Sequence, residues 1–254
     1  MKKIGIVILA TNAYFLLGLR FMRKFMYHYK GDCEITFYFF SDRDPKEYLP
    51  EGFNVKYYPQ NHTNWVEGTN SKFKNIVNIQ YDLRKEDYVY YFDADTNVSK
   101  EFTEKWFLGS LVSGEHYGNR TFLANGKGFD RNPIGKSYVP INSPLPYTYR
   151  YGAFFGGAAI PVIQFCEKLM TWQIIDKDKG YEPPVNDESY INAFFHTITP
   201  ALTVPSDKFE FLISDKGGLG DTRNMNLNIT DLLQQVKDNK EKTFDIQFNK
   251  IIYV

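Results

Sequence analysis

Three runs of strand length, KIGIVIL (residues 3–9), CEITFYFF (33–40) and YVYYF (88–92), are apolar or aromatic at most successive positions rather than at alternate ones. A strand that is apolar on both sides has to be covered on both sides. That condition is met in α/β sheets, where helical crossovers pack on either face. The segments between the runs have the helical period. Residues 13–29 place Phe15, Leu16, Leu19, Met22, Phe25 and Met26 mostly three and four apart, and residues 71–83 do the same with Phe73, Ile76, Val77 and Ile79. NVKYYP (54–59) adds a short third strand. The alternation predicts an α/β fold built on a largely parallel sheet.

The run at 88–92 leads straight into Asp93-Ala94-Asp95. Ligands of such sheets sit at the carboxyl ends of the strands, so both acids are expected at the functional rim, beside Ala10 and Thr11. Carboxylates are costly there unless paired, hydrogen-bonded or bound to a metal. Three readings are open. The acids cap the segment that follows. Alternatively, DADTNV is the DxDx(T/V) of a haloacid-dehalogenase-like phosphohydrolase, with GDTRN (220–224) as a partial later motif. Against this, Asn97 stands where Thr or Val is needed, the acid after Asp221 is missing, and the motif belongs on a first strand. In the third reading the acids hold a divalent cation on the diphosphate of a sugar nucleotide, where a hard cation neutralises the leaving group.

The 254 residues suit one large domain. Thirty basic and thirty acidic residues cancel, which removes the global field that draws a chain to nucleic acid or an anionic membrane. Cys33 and Cys166 stand far apart, as reduced core residues of a cytoplasmic protein do, and the four histidines lack metal-ligand spacing. No apolar run approaches the roughly 20 residues of a membrane span. The basic, apolar start resembles a leader peptide, but Thr11 and Asn12 interrupt it, so it is read as a first strand.

Residues 114–146 are rich in Gly, Asn and Pro and read as long loops. Helices are expected at 160–175, with Pro161 in the first turn, and at 186–198, with Asn186 or Asp187 as N-cap. The plain reading of Asp187 and Glu188 is as acids that suit a helix N-terminus. A surface helix (229–242) and a terminal strand (243–254) follow. The expected division is a catalytic domain at 1–226 and an appendage at 227–254.

Four segments in order resemble the family 6 retaining glycosyltransferases, the group of the histo-blood-group A and B transferases and the α1,3-galactosyltransferases. They are IGIVILATNAY (4–14), YVYYFDADTNV (88–98), YRYGAFFGGA (149–158) and NDESYINAFF (186–195), the last being the most specific. The resemblance covers about residues 4–226. It implies a GT-A fold with a single Rossmann-like mixed sheet, a UDP-sugar donor, Mn²⁺ with Mg²⁺ as the alternative, a glycan acceptor, and an α1,3 linkage formed with retention. By that resemblance Asp93 and Asp95 are the metal ligands, and Leu9, Ala10, Thr11 and Tyr14 form the uridine pocket. Glu188 is the catalytic carboxylate, and Asp187 bonds the donor sugar.

Lys72, seven residues after Trp65, stands where the family has an arginine near the donor. Tyr151, Gly152 and Ala153 sort galactose from N-acetylgalactosamine, and the bulk of Tyr151 favours galactose. Gly156 and Gly157 let the donor sugar approach, or serve close packing at a sheet edge. Lys216 and Arg223 lie in the glycine-rich stretch expected to close over the diphosphate. The family's acceptor tryptophan is replaced by Val185, and its acceptor histidine maps to Ser113, so the acceptor is expected to be another glycan. Among bacterial members the DxD is often NxN; this chain keeps the acids, which implies metal dependence. The rivals are the phosphohydrolase and an inactive domain that binds a UDP-sugar or glycan.

Overall fold

A computed structural model describes residues 1–12, 14–62, 64–106, 108–116, 128–145 and 147–205, with Leu233, Gln234 and Lys237. Seven strands form one mixed sheet: β1 (Lys3–Leu9), β2 (Glu34–Ser41), β3 (Val55–Pro59), β4 (Tyr88–Asp93), β5 (Val112–Glu115), β6 (Arg150–Ala158) and β7 (Leu202–Val204). Their order is β3-β2-β1-β4-β6-β5-β7. The first four are mutually parallel, β6 runs antiparallel to both β4 and β5, and β7 is parallel to β5. A mixed sheet flanked by helices is the architecture expected from the resemblance.

Burial of both faces sorts side chains by parity. Ile4, Ile6, Ile8, Phe37, Phe39, Tyr90 and Phe92 face helix α1 (Tyr14–His28), where Phe15, Leu19, Phe21, Met22 and Phe25 complete one core. Their neighbours Val7, Tyr38, Phe40, Val89 and Tyr91 face the other way, onto α2 (Trp65–Asn78), α3 (Gln80–Leu83), α4 (Ala159–Asp178) and α5 (Asn186–Thr197). Each fully buried Phe contributes roughly 1.5–3 kcal/mol. Among the described tail residues, Leu233 joins the α1-side core and Lys237 pairs with Glu47 at 2.8 Å. The expected boundary at 226 lies outside the described residues.

Several boundaries differ from expectation. Helix α2 begins at Trp65, six residues before the expected start, because Asn64 caps it by accepting the Glu67 N–H (2.9 Å). The expected loop region, 114–146, begins within the last two residues of β5, and the stretch with the two glycines is strand β6. Gly156 and Gly157 are therefore not at a sheet edge: they lie between β4 and β5, paired with Tyr90 and Val89. A Cβ at Gly156 would run into the Tyr90 ring and come within 2.6 Å of the Val89 carbonyl oxygen. At Gly157, with φ 135°, it would collide with the Ser110 backbone. Gly156→Ala and Gly157→Ala are each expected to cost roughly 1–3 kcal/mol of stability through overpacking and strain. Urea unfolding checks this; a change under about 0.5 kcal/mol, the range of neutral surface substitutions, would mean the backbone simply yields.

Candidate active site

A cavity of about 530 Å³ opens at the carboxyl ends of β1 and β4 and reaches the start of α5. Leu9 and Asp93, the last residues of β1 and β4, are partners across the sheet, and both line it. The turn after β1 is held from several sides. The Ala10 N–H donates to the Phe40 carbonyl (2.9 Å), and the Ser41 hydroxyl donates to the Ala10 carbonyl (2.6 Å). Asn12, at φ 55°, donates its N–H to Asp42 Oδ1 (2.8 Å) and its side-chain amide to the His62 carbonyl (3.3 Å). His62 Nδ1 lies 3.4 Å from Thr11 Oγ1, and burial pushes this imidazole toward its neutral form. Thr11 and Tyr14 are thereby presented to the cavity, while Ala10 supports the turn from behind with no exposed surface.

Asp93 Oδ1 accepts the Tyr91 hydroxyl (2.8 Å) and lies 3.4 Å from Lys72 Nζ. Burial and the neighbouring Asp93 charge push Asp95 up to about 6, against the pull of Arg20 and Lys72. No helix follows Asp95 directly. The acids stand at the end of the fourth strand, whereas the phosphohydrolase reading needs the first. Two crowded carboxylates are a donor set that a hard divalent cation relieves, so these residues fit such an ion. Among the described residues no group of three or more such side chains closes around a metal.

The start of α5 departs from expectation. Its N-cap is Val185, whose N–H donates to Ser189 Oγ (3.1 Å), and Asn186 follows at φ 39°. This turns the next two acids inward. Asp187 Oδ2 contacts Lys72 Nζ at 2.8 Å, and Glu188 Oε2 accepts the Gly152 N–H at 2.7 Å. Burial would lower the Lys72 pKa, but the charges of Asp187 and Asp93 outweigh it and hold the ammonium well above the usual lysine value. Burial pushes Asp187 up, with Lys72 pulling it back. Glu188 rises to about 7 through burial, opposed by the Gly152 N–H, raised further by Asp187, and opposed again by the Tyr149 hydroxyl.

The cavity thus joins two carboxylates at a strand end to a buried acid beside a lysine and to a partly exposed glutamate of raised pKa. The family model of Glycosyltransferase family 6 matches residues 1–213. The chain belongs to glycosyltransferase family 6. It is similar to "Histo-blood group ABO system transferase 2" of Rattus norvegicus, 23% identical over 79% of this chain and 61% of that protein. "Globoside alpha-1,3-N-acetylgalactosaminyltransferase 1" of Gallus gallus is 24% identical over 78% of the chain and 59% of its own length. "O-antigen biosynthesis glycosyltransferase WbnI" of Escherichia coli is 25% identical over 65% and 70%. The chain matches about three fifths of the rat and chicken proteins. No helix among the described residues is long and apolar enough to cross a membrane.

Of the residues singled out from the sequence of this family member, Leu9, Thr11, Tyr14, Lys72, Asp93, Asp95, Tyr151, Gly152, Ala153, Asp187 and Glu188 all line the one cavity. Ala10, Gly156 and Gly157 do not line it, and for the two glycines close packing accounts for the geometry. Lys216 and Arg223 lie outside the described residues. Ser113 is fully buried and accepts from Arg150 (2.6 Å), so it does not stand in for an acceptor ligand. His116 lines the cavity instead, its ring 4.2 Å from that of Tyr151. His116 and His62 were not found from the sequence, because a lone histidine in a loop carries no pattern.

The Glu188 shift has a measurable consequence. The side chain ionises near 4.5 ordinarily and near 7 when folded, so the folded chain holds the extra proton between those values. Stability should therefore fall as pH rises from about 4.5 to about 7. Glu188→Gln lacks this penalty and is expected to be more stable than wild type above pH 7 by roughly 1–3 kcal/mol, with the difference gone below pH 4. Calorimetric Tm against pH decides it; a Tm gap that does not change with pH would remove the assignment.

Proposed function

We propose that this glycosyltransferase moves galactose or N-acetylgalactosamine, with galactose favoured, from a UDP-sugar to a hydroxyl of a glycan, with retention and in α1,3 linkage. The observation that carries the reading is the convergence on one cavity of the Asp93–Asp95 pair and a Glu188 carboxylate fixed by the Gly152 N–H (2.7 Å). The chicken relative's name gives the alpha-1,3 linkage and N-acetylgalactosamine; for this chain both are part of the proposal. The bulk of Tyr151, whose ring lies 4.2 Å from that of His116 on the cavity wall, is the support for galactose over N-acetylgalactosamine in this reading.

In this reading Leu9, Thr11 and Tyr14 receive the uridine. Asp93 and Asp95 would hold Mn²⁺ or Mg²⁺, which supplies Lewis-acid neutralisation of the departing diphosphate. The bond from C1 to the phosphate oxygen breaks and its electron pair leaves with UDP. The acceptor hydroxyl oxygen bonds to C1 on the face UDP has left, and its proton passes to a phosphate oxygen. Glu188, placed against the sugar, stabilises the oxocarbenium-like charge at C1, by covalent capture or by charge alone. Val185, 37% exposed on the cavity wall, removes the aromatic stacking expected for a blood-group acceptor, so a different glycan is received.

The test is UDP release from a panel of UDP-sugars with Mn²⁺ or EDTA. Metal-stimulated release from UDP-galactose or UDP-N-acetylgalactosamine is expected, reduced at least 100-fold in Asp95→Asn and Glu188→Gln. Release unaffected by EDTA would overturn the role given to the two aspartates. Phosphate release from small phosphoesters would favour the phosphohydrolase, and UDP binding without turnover the inactive domain.

A further inference from the structure

Lys72 was expected beside the donor, yet its surroundings describe a different task. Its side chain is 2% exposed. Three oxygens surround the ammonium: Asp187 Oδ2 at 2.8 Å, the Gly152 carbonyl at 3.1 Å and Asp93 Oδ1 at 3.4 Å. The Tyr91 ring covers it at 4.6 Å. An ammonium has three N–H donors, and here three protein oxygens lie within 3.4 Å of it.

Gly152 is the other half of the device. Ladder pairing between β4 and β6 ends at Phe92 and Phe154, so Gly152 lies beyond the β4 ladder. Its carbonyl accepts from Lys72 and its N–H donates to Glu188 Oε2 (2.7 Å). A Cβ at this position would sit 2.8 Å from Asp187 Oδ2 and 3.3 Å from Glu188 Oε2, so the acids occupy the space a side chain would need.

We propose that Lys72 is a positioning residue for Glu188. It clamps Asp187 and the Gly152 carbonyl together, so that the Gly152 N–H holds the glutamate carboxylate in place. The chain of contacts is Lys72 to Gly152 and Asp187, and Gly152 to Glu188. Lys72 acts on turnover and not on nucleotide affinity. The proposal rests on the transferase reading for its kinetic readout, while its structural readout stands apart from it.

The experiment compares wild type with Lys72→Arg, Lys72→Met and Gly152→Ala. UDP affinity is measured by calorimetry with Mn²⁺, UDP-galactose and UDP-N-acetylgalactosamine hydrolysis gives kcat and KM, and NMR follows the Gly152 amide proton. In wild type that proton is expected well downfield, as for a donor to a carboxylate. Lys72→Met should lower kcat at least 100-fold, leave the UDP Kd within threefold, and move the Gly152 amide upfield. Lys72→Arg, which can still bridge the acids, should recover at least a tenth of the lost rate. Gly152→Ala should lose kcat with UDP Kd held.

Since Lys72→Met leaves Asp187 buried without its partner, the pair Lys72→Met with Asp187→Asn removes both charges, and the same losses are expected. A tenfold or greater rise in UDP Kd with kcat kept would overturn the proposal and make Lys72 a donor ligand. An unmoved Gly152 amide would also overturn it. If wild type neither binds UDP nor hydrolyses either UDP-sugar, the transferase reading fails, and the amide shift still decides whether the clamp exists.

Discussion

Two carboxylates from the end of β4 and two from the start of α5 share one cavity, and the Lys72 ammonium contacts one of each pair, Asp93 at 3.4 Å and Asp187 at 2.8 Å. Removing such charges from water costs several kcal/mol each unless partners compensate. The contacts divide this cost unevenly. Lys72 and the Tyr91 hydroxyl compensate Asp93, and Lys72 compensates Asp187. Asp95 and Glu188 are left with pKa values raised to about 6 and about 7. These two carboxylates therefore retain the most unspent affinity for positive charge. In the proposed reaction that affinity would serve a cation on the diphosphate and the charge developing at C1.

The sheet makes this convergence possible. Because β1 and β4 are covered on both faces, their side chains are fixed by packing, and the first positions free to do chemistry are those just past the last covered residue. Tyr91 shows the boundary. Its ring packs in the core on the α2 side, stacked against Phe155 at 5.2 Å, while its hydroxyl already bonds Asp93. The reversal of β6 brings the Tyr151–Ala153 stretch to the same rim from the opposite direction. A parallel strand would have delivered its other end there.

The elements with strong local signals were legible in the sequence. The double-faced apolar runs became β1, β2 and β4, the three- and four-residue steps became α1, and the acids after β4 landed in the cavity. What escaped was set by tertiary contacts. The first turns of α2 contain Gly68, Thr69 and Asn70, which lower helix propensity, and only the Asn64 cap reveals the start. Strand β6, with Gly152, Gly156 and Gly157, carries little strand propensity; the Tyr90 ring and the acids need those glycines. The cap of α5 was misplaced for a related reason. Asn186 and Asp187 are good cap residues by type, but pairing with Lys72 takes Asp187 inward and Val185 is left at the cap.

Backbone conformation points to the same place independently of charge. Among the described residues, the non-glycine positions with positive φ are Asn12 at 55° and Asn186 at 39°, and both line the cavity. Asparagine tolerates this region better than most residues, yet still at a cost relative to ordinary backbone. Neither turn is left to relax. Asn12 is tied to Asp42 and the His62 carbonyl, and Asn186 is locked between the Val185–Ser189 contact and the inward pull of Asp187. Each reversal aims the residue next to it: Thr11 at the end of β1, and Asp187 with Glu188 at the start of α5. Two strained turns, each held by hydrogen bonds, line the one cavity and fix the backbone at the end of β1 and at the start of α5. Under the proposed function that fixed backbone matters, because a lapse of an ångström at either turn would move Glu188 away from the carbon it is proposed to face.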